Sequence, residues 1–182
     1  MKRLLICLPL LLLCGCEVLP YPRELESTVL VRMLGVDLVG DRLILTAADI
    51  PQEGKEVTLL SVEGKDFEEG VQKLKEAGEE YVALTHVTQI VVGEGSDLRP
   101  VMEGALLQRE VGQSATVWRA RGRARTLMEG VNGGAKRLTS LELNTAGLST
   151  ATVLEVLAKL EEGDKVELPC LEEKEGILEV VS

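Results

Sequence analysis

The sequence predicts one α+β domain, a mixed central β-sheet flanked by about three main helices, behind a short export and anchoring segment. Two patterns carry the fold class. Residues 66–120 alternate between helical and extended periodicity, and alternation of this kind builds a sheet with helices packed against it. Ahead of them, two β-branched runs meet at Gly40-Asp41, as in an antiparallel hairpin. Aromatic residues are only 2% of the chain, so the core has to be aliphatic.

The N-terminus reads as a signal peptide. Lys2 and Arg3 precede the apolar run Leu4 to Leu13, which Pro9 interrupts and which falls short of the roughly 20 apolar residues of a membrane span. It leads into Leu13-Cys14-Gly15-Cys16-Glu17. This resembles the lipobox of bacterial lipoproteins, in which the cysteine after a small residue receives a diacylglycerol and becomes the new N-terminus. Cys16 fits that role, whereas Cys14 follows bulky Leu13. Two acyl chains anchor a protein stably where one binds only marginally. Pro20 and Pro22 make the next residues an extended tether. The expected layout is a signal over 1–15, a lipidated tether over 16–26 and a domain over 27–182.

Loss of Lys2 and Arg3 lowers the basic residues from 20 to 18 against 30 acidic ones, moving the net charge from −10 to −12. Such a balance opposes phosphate binding, so nucleic acid is not an expected partner. Cys7 and Cys14 leave with the signal and Cys16 is acylated, which strands Cys170. Neither a disulfide framework nor a cysteine metal site is expected.

Within the domain, Ser27 to Leu38 and Arg42 to Asp49 are the hairpin strands, and Glu56 to Val62 extends their sheet. Asp66-Phe67-Glu68-Glu69 opens a helix with apolar positions Phe67, Val71, Leu74 and Ala77, ended by Gly78. The run from Tyr81 through His86 to Glu94 reads as one buried strand at the centre of the sheet. Ser96 or Asp97 caps a second helix, with Pro100 in its first turn. Ser114 to Arg119 is a strand and Arg123 to Gly130 a short helix, followed by a turn at Asn132-Gly133-Gly134. Ser149 to Glu162 is the last helix, with Thr152 and Glu155 as a capping box and Gly163 at its end. Leu168-Pro169-Cys170 and Gly176 to Val181 are short strands.

Chemistry-bearing motifs are few. His86 is the only histidine, and without a nucleophile elbow or a His-Glu-x-x-His it reads as structural, so no catalytic residue is assigned. Asp37, Asp41 and Asp49 read as turn and edge residues. Gly93-Glu94-Gly95-Ser96 lacks the lysine and spacing of a phosphate-binding loop and reads as a strand-to-helix turn. No cofactor or metal is expected. The least ordinary feature is the alternation Arg119, Arg121, Arg123, Arg125. If extended, it places four guanidinium groups on one side for a lipid headgroup, an anionic ligand or an acidic partner. The alternative is that Gly122 breaks the strand and the arginines pair with local Glu and Asp.

Several stretches, taken in order, resemble the N-terminal domain of the Ger(x)C family, lipoprotein C subunits of the nutrient germinant receptors of spore-forming bacteria. They are Cys16, Arg23-Glu24-Leu25-Glu26, Leu34-Gly35-Val36-Asp37 and Asp41 to Thr46. The helix Phe67 to Ala77, the His86 segment ending Val91-Val92-Gly93-Glu94 and the helix with Arg109 follow. Val117 to Met128 and Lys165-Val166-Glu167-Leu168-Pro169 complete the series. Glu17-Val18 replaces an aromatic-acidic pair, Thr85 stands where a glycine is usual, and the family continues into a larger C-terminal portion. The resemblance implies a non-enzymatic assembly subunit beside integral membrane receptor subunits, held by the Cys16 lipid on the outer face of the cell or spore inner membrane. The sequence names no ligand. The alternative is a surface lipoprotein that binds a solute for a transporter or sensor, which calls for a concave pocket between two lobes. A hydrolase would need a nucleophile and base that are not recognisable here.

Overall fold

The computed structural model describes residues 28–49, 59–78, 81–130, 150–174 and 177–181. Cys16, the tether and the Asn132-Gly133-Gly134 turn lie outside them. Strands β1 (Thr28–Val39) and β2 (Arg42–Asp49) form the expected hairpin. Gly40 turns it with φ of 65°, a left-handed value glycine adopts at little cost. β3 (Leu59–Gly64) pairs antiparallel with β2. Helix α1 (Phe67–Ala77) then crosses back over the sheet, and β4 (Tyr81–Ala83) and β5 (Gln89–Val92) both run parallel to β1. After α2 (Leu98–Leu107), β6 (Thr116–Ala120) runs parallel to β5. Helix α3 (Ala124–Gly130) follows, and later β7 (Ala151–Thr152) pairs antiparallel with β6 and runs into α4 (Val153–Glu162). β8 (Cys170–Lys174), parallel to β6, and β9 (Ile177–Val181), antiparallel to β8, close the sheet. Its order is β3-β2-β1-β5-β6-β8-β9, with β4 beside β1 and β7 beside β6. The domain is a single mixed α+β sheet, as expected.

Local chemistry sets the helix ends. The Asp66 carboxylate accepts from the Glu69 amide at 2.9 Å, and the Glu69 carboxylate accepts from the Lys65 amide at 3.0 Å. Asp97 accepts from the Arg99 amide at 3.0 Å. Thr152 and Glu155 form the expected capping box, and Gly163 ends α4 with φ of 80°. These contacts satisfy amides and carbonyls that a helix leaves unpaired at its ends.

Two cores lie on the two faces of the sheet. The larger joins Leu34, Val36, Ile90, Val92 and Val117 to Phe67, Leu74, Val101, Met102 and Val156 of α1, α2 and α4. The smaller joins Met33, Val91, Trp118 and Leu171 to Ala124, Leu127 and Met128 of α3. A register shift in β1 between Val31 and Met33 turns these residues to opposite faces, where a regular strand would keep them on one.

The stretch Tyr81 to Glu94 is not one strand. Between Leu30 and Met33, β1 advances three residues, whereas its parallel partner advances six, from Ala83 to Gln89. The surplus loops out as a turn closed by the Val87 amide on the Leu84 carbonyl at 3.1 Å. Leu84 and Val87 remain buried, and Thr85 and His86 face solvent. His86 is therefore an exposed turn residue at the strand entrance, not part of the central strand.

Candidate functional site

Parallel sheets carry ligand sites at the carboxyl ends of their strands. Here that end gathers Asp37 of β1, Gly93 to Ser96 after β5, Arg119 to Arg125 around the end of β6, and Glu172 of β8. Asp37 lies on the same face of β1 as Met33 and Gly35. A side chain at Gly35 would run into Met128 and Ala124, so glycine lets α3 approach the strand. Two residues on, the buried Asp37 carboxylate accepts from the Ala124 amide at 2.7 Å and the Arg125 amide at 2.9 Å. A negative charge on the first amides of a helix is stabilising. The sequence reading of Asp37 as a turn or edge residue is corrected: it lies on an interior strand and caps a helix 87 positions away. Gly93 makes this possible, because a Cβ there would collide with the Asp37 carboxylate.

The Gly93 to Ser96 turn is tied in from both sides. Glu94 donates its amide to the Gly122 carbonyl at 2.7 Å, and its carboxylate accepts the Gly122 amide at 2.9 Å. The buried Ser96 hydroxyl accepts from the Leu38 amide at 2.9 Å. Gly95, with φ of 75°, supplies the left-handed residue. This is the strand-to-helix turn expected from the sequence.

The arginines do not share one side. β6 ends at Ala120, and Gly122 has φ of 86°. Arg119, half-buried, donates to the carbonyls of Gly93 at 3.1 Å and Ser96 at 2.7 Å. Burial pushes its pKa down from the ordinary value, and the nearby Asp97 charge pushes it back up. Arg121 pairs with Glu172 at 3.0 Å and Arg125 with Glu129 at 2.7 Å. Arg123 is exposed and forms no ion pair with a described residue. The alternation is thus divided between strand end, turn and helix, for the reason Gly122 suggested. Cys170 is a free thiol whose pKa is raised, chiefly by burial.

Asp37 and Glu94 accept backbone hydrogen bonds and Glu172 pairs with Arg121, so the cluster joins β1, β5, β6, β8 and α3 into one end. Among the described residues, no group of three His, Cys, Asp or Glu is placed to hold a metal. An open hollow of about 330 Å³ beside α1 is lined by Glu68, Val71, Gln72, Lys75, Glu76 and Gln108. That lining is largely charged or polar, unlike the apolar clefts that enclose small molecules.

The network at the strand ends draws together stretches that also align with a known family. The model described as the spore germination protein N-terminal domain matches residues 22–168. No curated protein and no solved structure matches the chain.

Proposed function

Because the chain belongs to the spore germination protein N-terminal domain family, which gives it a part in germination, we propose that it works there as a lipid-anchored, non-enzymatic assembly subunit. The family match over residues 22–168 carries this reading. Two features support it. Cys16 follows a small residue at the end of an export signal, so a diacylglycerol there holds the domain at the outer face of a membrane. Strand ends in which buried polar groups are mutually hydrogen-bonded suit a rigid body that presents surfaces. Integral membrane receptor subunits are the proposed partners, and the exposed Arg123 with the outer faces of Arg121 and Arg125 is a proposed contact for an acidic partner surface.

Deletion of the gene tests the role. Spores lacking it are expected to lose or slow germination in response to nutrients, with expression during sporulation. Normal nutrient germination together with expression only in growing cells overturns the proposal. The anchor has its own test: Cys16→Ala is expected to move the protein from the membrane fraction to the soluble fraction, and retention at the membrane counts against lipidation.

A further inference from the structure

The parallel strands start at one pole of the domain, opposite the hydrogen-bonded strand ends. Of the five large hydrophobic side chains that stand exposed among the described residues, four lie at this starting pole. Leu107, 79% exposed, closes α2, and Leu154, 53% exposed, opens α4. The loop between α2 and β6 leaves the first and reaches the second, since the Gln108 amide bonds the Ala105 carbonyl and the Leu154 amide bonds the Gln113 carbonyl. Tyr81, 43% exposed, opens β4 in register with Thr28, and Leu59 opens β3. Only Val39 lies at the other end, beside the Gly40 turn.

Single exposed leucines are ordinary on protein surfaces, but their placement here coincides with where the chain enters the domain. β1 begins at Thr28 on this same pole. Eleven residues, 17–27, separate it from Cys16, and a chain of that length reaches at most about 40 Å. The twelve residues of β1 extend about 40 Å. A lipid on Cys16 therefore ties the domain to the bilayer by this pole, with the opposite end of β1 a strand's length further along the chain.

We propose that this pole is a membrane-contact surface, with Leu107 and Leu154 set into the boundary between headgroups and acyl chains and Tyr81 and Leu59 at its margin. The proposal rests on the lipid anchor at Cys16 put forward above. Tyrosine, apolar in body and polar at its tip, suits that boundary. Arg109, exposed in the same loop, is placed at the level of lipid phosphates. Three charged groups nearby are engaged within the protein: Lys75 pairs with Glu110 at 2.8 Å, and Glu155 closes the α4 capping box. Contact through this pole leaves the Arg121 to Arg125 end turned outward for a partner.

The test uses the lipidated full chain in phosphatidylcholine vesicles with brominated acyl chains and no other protein present, so that only lipid can quench. Leu107→Trp and Leu154→Trp serve as two separate reporters, Val39→Trp as the control at the far pole. The native Trp118 is buried and adds a constant background. Circular dichroism confirms that each variant is folded. The expected result is a blue shift and loss of the added emission at 107 and 154 on bromination, with no loss at 39. Equal response at all three positions, in protein that floats with the vesicles, overturns the contact surface and leaves the anchor standing. Absence of the lipid mass on Cys16, or equal flotation of Cys16→Ala, overturns the anchor and this inference with it.

Discussion

Asp37 shows how one side chain ties distant segments together. Its two oxygens take the first two amides of α3, and it is almost wholly buried. Asp37→Ala leaves both amides without this acceptor and is expected to cost about 2–4 kcal/mol in denaturant unfolding. Asp37→Asn, which keeps one acceptor oxygen, is expected to cost less. Gly93→Ala displaces the same carboxylate, so the double variant is expected to lose less than the sum of the two single losses. Additive losses would show that Gly93 acts independently of the cap. Three glutamates, exposed Glu155 and partly buried Glu69 and Glu172, contribute to the acid side of stability. The Lys65 amide lowers the pKa of Glu69, the Thr152 amide that of Glu155 and the Arg121 side chain that of Glu172. A depressed folded value means that the stabilisation is complete above the ordinary glutamate pKa of about 4.3 and is lost as pH falls through the lower folded value. The melting temperature is expected to drop across that window. Glu155→Gln is expected to flatten part of the drop, and an unchanged profile would exclude Glu155 from it.

At the scale of the element, glycines decide how closely helices approach. Gly104 lies inside α2 against Phe67 of α1, and Gly70 inside α1 against Leu45 of β2. By helix propensity, a larger residue at Gly104 should help by up to about 1 kcal/mol. Packing reverses the sign, because an added side chain meets Phe67, and overpacking of this kind costs about 1–3 kcal/mol. Gly104→Val is therefore expected to lower the unfolding midpoint, and a raised midpoint would mean that α1 and α2 separate freely. The ends of α4 behave locally. Thr152→Ala removes the capping hydroxyl and is expected to cost about 1 kcal/mol. Gly163→Ala strains the left-handed residue that closes the helix, with an expected loss of similar size, about 1 kcal/mol. Both are read from chemical denaturation.

For the whole molecule, the two cores share the same strands, so neither has a sheet of its own. Met33 and Leu34 are neighbours in β1 and belong to different cores. Unfolding is expected to be one cooperative transition. The single tryptophan makes this measurable: Trp118 lies in the smaller core and donates its ring N–H to Gln89, while far-UV circular dichroism reports mainly the helices of the larger core. Coincident curves by the two probes are expected. A fluorescence transition at clearly lower denaturant would show that α3 and its core detach first. The two poles also differ in kind, one closed by hydrogen bonds around Asp37 and Glu94, the other edged by exposed Leu107 and Leu154.

Local signals determined much of this protein. The Gly40-Asp41 hairpin, the Asp66 and Thr152 caps, the Gly163 stop and the strand-helix alternation each depend on residues within a few positions of one another, which a single sequence displays. The ordered motifs from Arg23 to Pro169 likewise carried the family, because order along a chain is itself sequence information. Three features needed the tertiary structure. The split between β4 and β5 depends on how far β1 advances beside them, and Tyr81 to Glu94 alone does not encode that spacing. The capping role of Asp37 depends on a helix 87 residues away. The division of the arginines was hinted at by Gly122, yet their partners Glu172, Gly93 and Ser96 come from other strands and turns. Periodicity marks which side chains share a face of one element, and only packing decides which element that face meets.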